Sequence, residues 1–216
     1  MTTIDKSKPV LVTGANGYVA SWLVKKLLED GLTVHAAVRN PSKKEKVNHL
    51  DKLAAENPGE IKYFDCDLLK LNSYKEAMEG CELVYHTASP FSLDTQNPQK
   101  ELIEPAVMGT ENVLKSVNEV ESVKRVVLTS SCAAIYTDAI DTQNTPNKEI
   151  TEDMWNTTAS LEYQPYSFSK TIAEKRAWEI RNLQKRWDMV TINPSLVLGP
   201  ALNAKGATSE SMKIKP

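Results

Sequence analysis

A tyrosine and a lysine four residues apart have the clearest potential for acid–base chemistry in this sequence. Tyr166 and Lys170 open a segment with helical periodicity, and their spacing places both on one helical face. An ammonium group near a phenol favours the phenolate and lowers the tyrosine pKa, which gives a proton donor and acceptor usable near neutral pH. The pair is therefore a candidate general acid and base.

Two consecutive serines upstream of this pair could bind a substrate carbonyl. Ser130 and Ser131 follow the apolar run 126–129. If that run is a strand of a parallel sheet, the serines lie at the carboxyl edge of the sheet, where such folds bind ligands. A tyrosine and a lysine at this spacing are common by chance, so the position of the serines is what favours a catalytic site.

A glycine-rich turn lies between the first apolar run and a helical stripe, in the segment 12–20. Gly14 permits a tight turn, and Gly17 permits a close approach of the backbone to a phosphate. The helix that follows would direct free amide groups and the positive end of its dipole at a pyrophosphate. The segment therefore favours dinucleotide binding over a purely structural turn.

The residue after the second apolar run predicts which dinucleotide is bound. Sites specific for NAD place an acidic residue there to bind the ribose 2′-hydroxyl, but this sequence has Arg39. An arginine can stack on adenine and pair with a 2′-phosphate through charge-assisted hydrogen bonds. We therefore expect NADP, with Lys46 as a second contact and with Lys43 and Lys44 as solvated charges.

The elements that position these groups follow from an alternation of short β-branched runs with longer stretches of helical spacing, which is typical of a parallel α/β sheet. The predicted strands are 10–13, 33–38, 61–64, 83–86, 125–129 and 189–192, and the predicted helices include 19–28, 102–117 and 166–185. Residues 137–165 have little periodicity and are expected to form a long, ordered loop. The predicted fold class is α/β, a doubly wound parallel sheet of Rossmann type with helices on both faces.

The composition excludes several classes of protein. The chain has 216 residues, of which 41% are hydrophobic, and its 26 basic and 28 acidic residues give a formal charge of -2. This balance offers no field to hold nucleic acid or an anionic membrane. No stretch approaches the roughly 20 apolar residues of a membrane-spanning helix, and the first residues lack the apolar core of a signal peptide. We expect a cytoplasmic protein.

The cysteines and histidines do not indicate a metal site. Cys66, Cys81 and Cys132 are widely spaced without a CxxC pair, and no histidine has a companion at metal-ligand spacing. We expect buried thiols, no disulfide framework and no metal.

Taken together, these motifs resemble the extended short-chain dehydrogenases/reductases, and within them the group of dihydroflavonol reductase, cinnamoyl-CoA reductase and yeast-type carbonyl reductase. The matching segments lie in family order over nearly the whole chain. They are residues 13–20, 38–39, 65–68, 84–91, 126–131, 166–170, 193–195 and 199–200. The family often has a third glycine where this chain has Ala20, which is small enough for close helix packing.

The resemblance implies hydride transfer from NADPH to a carbonyl carbon. Tyr166 would protonate the forming alkoxide, Lys170 would lower the pKa of Tyr166 and hold the nicotinamide ribose, and Ser131 would polarise the carbonyl, with Ser130 less favoured in that role. The implied substrate contacts are Phe91, Cys132 and Tyr136. The implied cofactor-binding residues are Gly14, Asn16, Gly17, Tyr18, Val19, Arg39, Lys46, Asp67, Leu68, Thr87, Ala88, Ser89, Tyr166, Lys170, Pro194 and Ser195.

Two regions are expected along the chain. Residues 1–193 would form an NADP-binding Rossmann domain, with 132–165 as its active-site loop, and residues 194–216 would begin a substrate-binding region. The family continues well beyond Gly199 and Pro200, whereas this sequence ends at Pro216. We therefore expect the cofactor half of such an enzyme, with the substrate domain largely absent.

Two alternatives stay open at the level of the sequence. An epimerase or a hydroxysteroid dehydrogenase of the same fold would share the serine, tyrosine and lysine but would typically use NAD. A non-catalytic dinucleotide-binding module would fit a short chain, although it has no chemical use for a paired Tyr166 and Lys170. The expected partner is a small-molecule carbonyl substrate, and the oligomeric state, monomer or homodimer, is open.

Overall fold

The computed structural model describes residues 3–90 and 95–203, and these contain one six-stranded parallel sheet. The strands are β1 (Val10–Thr13), β2 (Thr33–Val38), β3 (Glu60–Asp65), β4 (Leu83–His86), β5 (Arg125–Thr129) and β6 (Asp188–Ile192). Their order across the sheet is β3-β2-β1-β4-β5-β6, the order of a doubly wound dinucleotide-binding fold. The six strands predicted from the sequence are confirmed, with ends within one residue.

The strands are apolar throughout because the sheet is buried on both faces. Side chains alternate between the faces with a period of two residues. Leu11 of β1 packs with Val84 and Val126 in one hydrophobic cluster. Its neighbours Val10 and Val12 belong to the other cluster, on the opposite face. All four residues of β1, which lies near the centre of the sheet, are buried.

Helices cover both faces, so the predicted fold class is confirmed. They are α1 (Tyr18–Glu29), α2 (Lys44–Glu56), α3 (Lys75–Met78), α4 (Glu104–Glu119) and α5 (Pro165–Asn182). Helices α1 and α2 contribute buried residues to the cluster of Val10 and Val12, whereas α3, α4 and α5 contribute to that of Leu11. Within the described ranges, no helix has the length and apolar character needed to cross a membrane.

Helix α2 is an element that the sequence does not predict. Its apolar stripe consists of Val47, Leu50 and Leu53, and the remaining positions are mostly polar or charged. This segment, which also contains Lys44 and Lys46, therefore has too few apolar residues to show a helical period in the sequence. Burial of this narrow stripe against the sheet still provides the helix with a packing face.

The long segment between β5 and α5 is ordered, as the sequence predicts, and a buried side chain that the sequence does not indicate, Asn156, contributes to this order. Asn156 is 6% exposed, and its amide nitrogen donates to the backbone oxygen of Ala133 at 2.8 Å. Its backbone nitrogen donates to the oxygen of Ala134 at 2.9 Å, and its side-chain oxygen accepts from the amide of Ala159 at 2.9 Å. These bonds fix the turn Cys132–Ala134 against the distal part of the loop.

Candidate active site

Most of the segments predicted to bind ligands follow the carboxyl ends of strands. Gly14 follows β1, Arg39 follows β2, Thr87 follows β4 and Ser131 follows β5. Strands β1 and β4 are neighbours although they are not consecutive in the chain, so the winding of the sheet reverses between them. Parallel α/β sheets bind their ligands in the crevice at this reversal.

The glycine-rich turn approaches the end of β4 closely. Gly14 has a φ of +62°, and a Cβ atom there would lie 3.1 Å from the Cβ of Ala88. Gly17 donates its backbone N–H to the oxygen of Gly14 at 2.8 Å, which closes the turn before α1. Among the described residues, no side chain caps the N-terminus of α1. The first amide groups of this helix are therefore available to an anion such as a pyrophosphate.

Thr13 joins the turn to β4, a role that the sequence motifs do not reveal. Its Oγ1 accepts the backbone amides of Thr87 and Ala88 at 3.1 and 3.0 Å, and it lies 2.9 Å from Nδ1 of His86. Burial lowers the pKa of His86 to about 3, with a smaller contribution from the charge of Lys170, so the imidazole is neutral. A polar residue at the end of a buried strand is the one signal that could have identified Thr13.

The end of β2 carries Arg39, which is exposed to solvent. The next residue, Asn40, has a φ of +56° and donates its backbone N–H to Oδ1 of Asp65 at 2.9 Å. Asp65 thus holds the turn that presents Arg39, while Lys46 lies half-buried in the first turn of α2. An exposed guanidinium on a fixed turn is suited to binding a phosphate group.

The loop after β3 lies beside α4. Oδ1 of Asp67 accepts the backbone N–H of Leu69 at 2.8 Å, so the Asp67 carboxylate binds the backbone of its own loop. Asn112 of α4 donates to the backbone oxygen of Leu68 at 2.8 Å. A Cβ atom at Gly109 would lie 3.2 Å from the Cβ of Leu68, so this glycine permits the close packing of loop and helix.

The predicted catalytic residues meet at the carboxyl end of β5. Ser131 is buried, forms a hydrogen bond with Tyr166, and accepts the amide of Ala133 on its Oγ at 3.1 Å. Lys170 is also buried, and its Nζ lies 5.6 Å from the ring centroid of Tyr166 and donates to Oγ of Ser89 at 2.7 Å. The structure thus brings together Ser131, Tyr166 and Lys170 with the predicted cofactor residue Ser89.

The pKa of Tyr166 is shifted in the direction opposite to the one expected from the sequence. Burial raises the pKa of Tyr166, and its hydrogen bond with Ser131 opposes that effect. Lys170 is not among the groups that shift the pKa of Tyr166, and its ammonium group donates to Ser89. Burial likewise lowers the pKa of Lys170 to about 8, with Glu174 acting in the opposite direction.

The predicted substrate residues have different outcomes. Cys132 and Tyr136 lie next to each other and form a side-chain hydrogen bond, and Cys132 also lies near Tyr166. Phe91 lies outside the described residues. Pro194 is joined to this group because its backbone oxygen accepts the amide of Cys132 at 2.9 Å.

The segment after β6 turns back to the glycine-rich turn. Tyr18 donates its hydroxyl to the backbone oxygen of Gly199 at 2.6 Å, and Trp22 donates its indole N–H to the oxygen of Pro200 at 2.9 Å. Tyr18, which the sequence predicts as a cofactor residue, thus contacts the segment 199–200 in this structure. In the same region, Asn16 is half-buried and Val19 is 40% exposed.

Across residues 3–90 and 95–203, no three His, Cys, Asp or Glu side chains are grouped in a way that could hold a metal ion. The described site therefore consists of hydroxyl groups, a buried ammonium and backbone amides around a strand-end crevice.

Comparison with known protein families agrees with this geometry. The model of the NAD dependent epimerase/dehydratase family matches residues 10–215. The chain belongs to this family.

Several curated relatives of the chain are plant reductases. It is 43% identical over 205 residues to a cinnamoyl-CoA reductase of Medicago truncatula, covering 94% of this chain and 61% of that protein. It is 36% identical over 213 residues to the anthocyanidin reductase of Arabidopsis thaliana, covering 96% of this chain and 61% of the relative. The chain thus spans about three-fifths of the length of these relatives.

Solved structures give the same coverage. The yeast methylglyoxal/isovaleraldehyde reductase Gre2, complexed with NADPH, is 32% identical, with a TM-score of 0.76 over 91% of this chain and 60% of that one. Vestitone reductase from alfalfa is 27% identical, with a TM-score of 0.70 over 95% of this chain and 61% of that one. The resemblance to this group of reductases, predicted from the sequence, is confirmed.

Proposed function

We propose that this chain binds NADPH and reduces the carbonyl group of an aldehyde or ketone. The observation that carries the proposal is the hydrogen bond between Tyr166 and Ser131 beside the buried Lys170. Two hydroxyl groups that meet at one point can both reach the same substrate oxygen. This point lies at the strand-end crevice, where a dinucleotide binds in this fold.

Each side chain has a distinct part in the proposed reaction. Bound NADPH supplies the hydride, a hydrogen with two electrons, to the carbonyl carbon. The Oγ of Ser131 accepts the amide of Ala133, so its own proton, which is engaged with Tyr166 in this structure, is the one that it donates to the carbonyl oxygen. Tyr166 gives its proton to that oxygen, so the product is an alcohol. Lys170 lies with its ammonium group 5.6 Å from the centre of the Tyr166 ring, and in its charged form it stabilises the phenolate of Tyr166 when the ammonium group turns from Ser89 towards the tyrosine oxygen.

Several features support NADPH as the cofactor. The uncapped N-terminus of α1 follows a turn that requires glycine, which fits a pyrophosphate. Arg39 takes the place of the acidic residue that reads a ribose 2′-hydroxyl, and Lys46 supplies a second charge near the start of α2. The NADPH complex of the yeast reductase, which matches 91% of this chain, adds independent support.

The arrangement of the chain is part of the same proposal. Residues 1–193 form the NADP-binding domain, 132–165 form the active-site loop, and 194–216 begin the substrate-binding region. The substrate is a small carbonyl compound that lies against Cys132 and Tyr136, with Asp67 and Leu68 near the adenine and Pro194 and Ser195 near the nicotinamide. The cytoplasmic location stays a prediction from the sequence.

Tyr166→Phe tests the proposal because it removes the proton donor and keeps the ring. We expect NADPH oxidation with a panel of aldehydes and ketones to fall roughly 100-fold or more, while the dissociation constant of NADPH, measured by fluorescence, stays close to that of the wild type. Tyr63→Phe is the matched control, since the Tyr63 hydroxyl bonds Asp51 away from the site.

Three results would contradict the proposal in different ways. Full activity of Tyr166→Phe would remove the tyrosine from the mechanism. A strong preference of the wild type for NADH would favour an NAD-dependent epimerase or hydroxysteroid dehydrogenase. Tight NADPH binding without reduction of any carbonyl would favour a non-catalytic dinucleotide-binding module.

A further inference from the structure

Helix α5 carries a third ionisable group on the face that bears the catalytic pair. Glu174 follows Lys170 by four residues, as Lys170 follows Tyr166, so the phenol, the ammonium and the carboxylate form one stripe. Glu174 is only 6% exposed, and it lines the same cleft as Lys170. A buried carboxylate is costly unless it has partners, so its contacts indicate what it does.

Two neutral donors hold the carboxylate in place. Asn193 donates its Nδ2–H to Oε2 of Glu174 at 2.9 Å, and Trp178 donates its indole N–H to Oε1 at 3.3 Å. The same Nδ2 of Asn193 also donates to the backbone oxygen of Ser131 at 3.1 Å. One amide group, placed at the end of β6, therefore joins Glu174 on α5 to the serine at the end of β5.

The carboxylate also acts on Lys170 through its charge. Burial lowers the pKa of Lys170 to about 8, and Glu174 limits this decrease. The other titratable groups that face Lys170 are Tyr166 on its own helix and His86 at the end of β4, and the imidazole is neutral. The cleft residues that α4 contributes are uncharged, and they are Ala106, Gly109 and Thr110. Within the described part of this cleft, Glu174 is therefore the negative charge available to Lys170.

We propose that Glu174 is a positioning residue of the site: its buried carboxylate keeps Lys170 in the charged form and, through Asn193, fixes the backbone of Ser131. The inference rests on the function proposed above, because it assigns Glu174 to the same reaction. Neither of its two measurements requires turnover, so each can fail independently of that function.

Carbon-13 NMR of the lysine side chains tests the effect on Lys170. Its resonance is identified by its loss in Lys170→Met, and its pH titration is compared between the wild type and Glu174→Gln, which keeps the shape and removes the charge. We expect the midpoint to fall by roughly one pH unit. Glu179→Gln is the matched control, since Glu179 is exposed on the same helix and pairs with Arg176. An unchanged midpoint in folded Glu174→Gln would overturn the proposal.

Amide hydrogen exchange tests the effect on Ser131. The amide of Ala133 donates to Oγ of Ser131, so its protection reports how firmly this turn is held. We expect Asn193→Ala and Glu174→Gln to accelerate this exchange by roughly tenfold, with no change in Glu179→Gln. The Lys170 midpoint should not move in Asn193→Ala. Normal protection of Ala133 in both variants would overturn the link through Asn193.

Glu174→Asp decides the question if Glu174→Gln does not fold. It retains the charge on a shorter side chain, so the Lys170 midpoint should stay near that of the wild type, and a fall by roughly one pH unit would contradict the proposal. A chain that reduces no carbonyl but shows these shifts would contradict only the proposed function. An active enzyme with unchanged titration and exchange would contradict only the role of Glu174.

Discussion

At the scale of single residues, Gly14 combines a positive φ with a close neighbour. Gly31 has a positive φ alone, so a comparison of the two glycines separates the two effects. Gly14 has a φ of +62°, and a Cβ there would lie 3.1 Å from the Cβ of Ala88, closer than an ordinary contact, whereas Gly31 has a φ of +77° and open space around it. Gly31→Ala should therefore lower the free energy of unfolding by about 1 kcal/mol, which is the cost of placing alanine at a positive φ. Gly14→Ala adds a close contact with Ala88 to this cost, so it should lower the free energy of unfolding by about 2 to 3 kcal/mol.

Urea unfolding of the two variants measures this difference directly. Gly14→Ala should also weaken NADPH binding, because the turn that faces the pyrophosphate must shift, and Gly31→Ala should leave binding unchanged. Equal losses of stability in both variants would mean that the end of β4 moves away from the new methyl group without cost.

The residues that the sequence predicts are those with a local motif. Tyr166 and Lys170 share one helical face, and their spacing is visible in the sequence alone. Thr13 and Asn193 act through hydrogen bonds to residues more than sixty positions away, so no spacing indicates them. The orientation of the Lys170 ammonium towards Ser89 likewise depends on a contact across the fold.

At the level of elements, the C-terminus of α4 depends on one arginine. Arg186 donates to the backbone oxygens of Val117, Val120 and Val123, which lie at or just beyond the last turn of the helix. The last carbonyl groups of a helix lack partners within it, and a cation there also interacts favourably with the helix dipole. Arg186→Ala should therefore lower the free energy of unfolding by about 2 kcal/mol.

Thermal and urea unfolding check this prediction, with Lys185→Ala as the control because Lys185 is exposed and adjacent. Arg186→Lys should recover only part of the loss, since one ammonium group cannot reach all the carbonyls that the guanidinium reaches. If Arg186→Ala is as stable as the wild type, water satisfies the carbonyl groups at the end of α4 as well as the guanidinium does.

The predictability of each element depends on how it is buried. The central strands are covered on both faces, so they are continuous apolar runs that stand out in the sequence. Helix α2 is missed because it buries only a narrow stripe among charged residues. The loop before α5 is predicted to be ordered, but its organising residue, Asn156, is polar and leaves no periodic signal.

At the scale of the whole molecule, the sheet order brings distant segments to one crevice. The ends of β1 and β4 lie side by side, and the segments after β5 and β6 are joined because Ser130 donates to the backbone oxygen of Ile192 at 2.8 Å. The parallel α/β class is predictable from the alternation of runs. The contacts between segments depend on register, which a single sequence does not specify.

Binding at this crevice should stabilise the entire fold, because a ligand that binds only the folded state adds to its stability by mass action. NADPH at about 100 times its dissociation constant should raise the free energy of unfolding by about 2.7 kcal/mol. NADH at the same concentration should raise the free energy of unfolding much less, since it lacks the 2′-phosphate expected at Arg39.

Arg39→Ala should remove most of the difference between the two cofactors. Lys44→Ala changes an exposed lysine that pairs with Asp51, and it should preserve the difference. Equal stabilisation of the wild type by both cofactors would mean that Arg39 does not recognise the phosphate, and the NAD-dependent alternative would then be favoured.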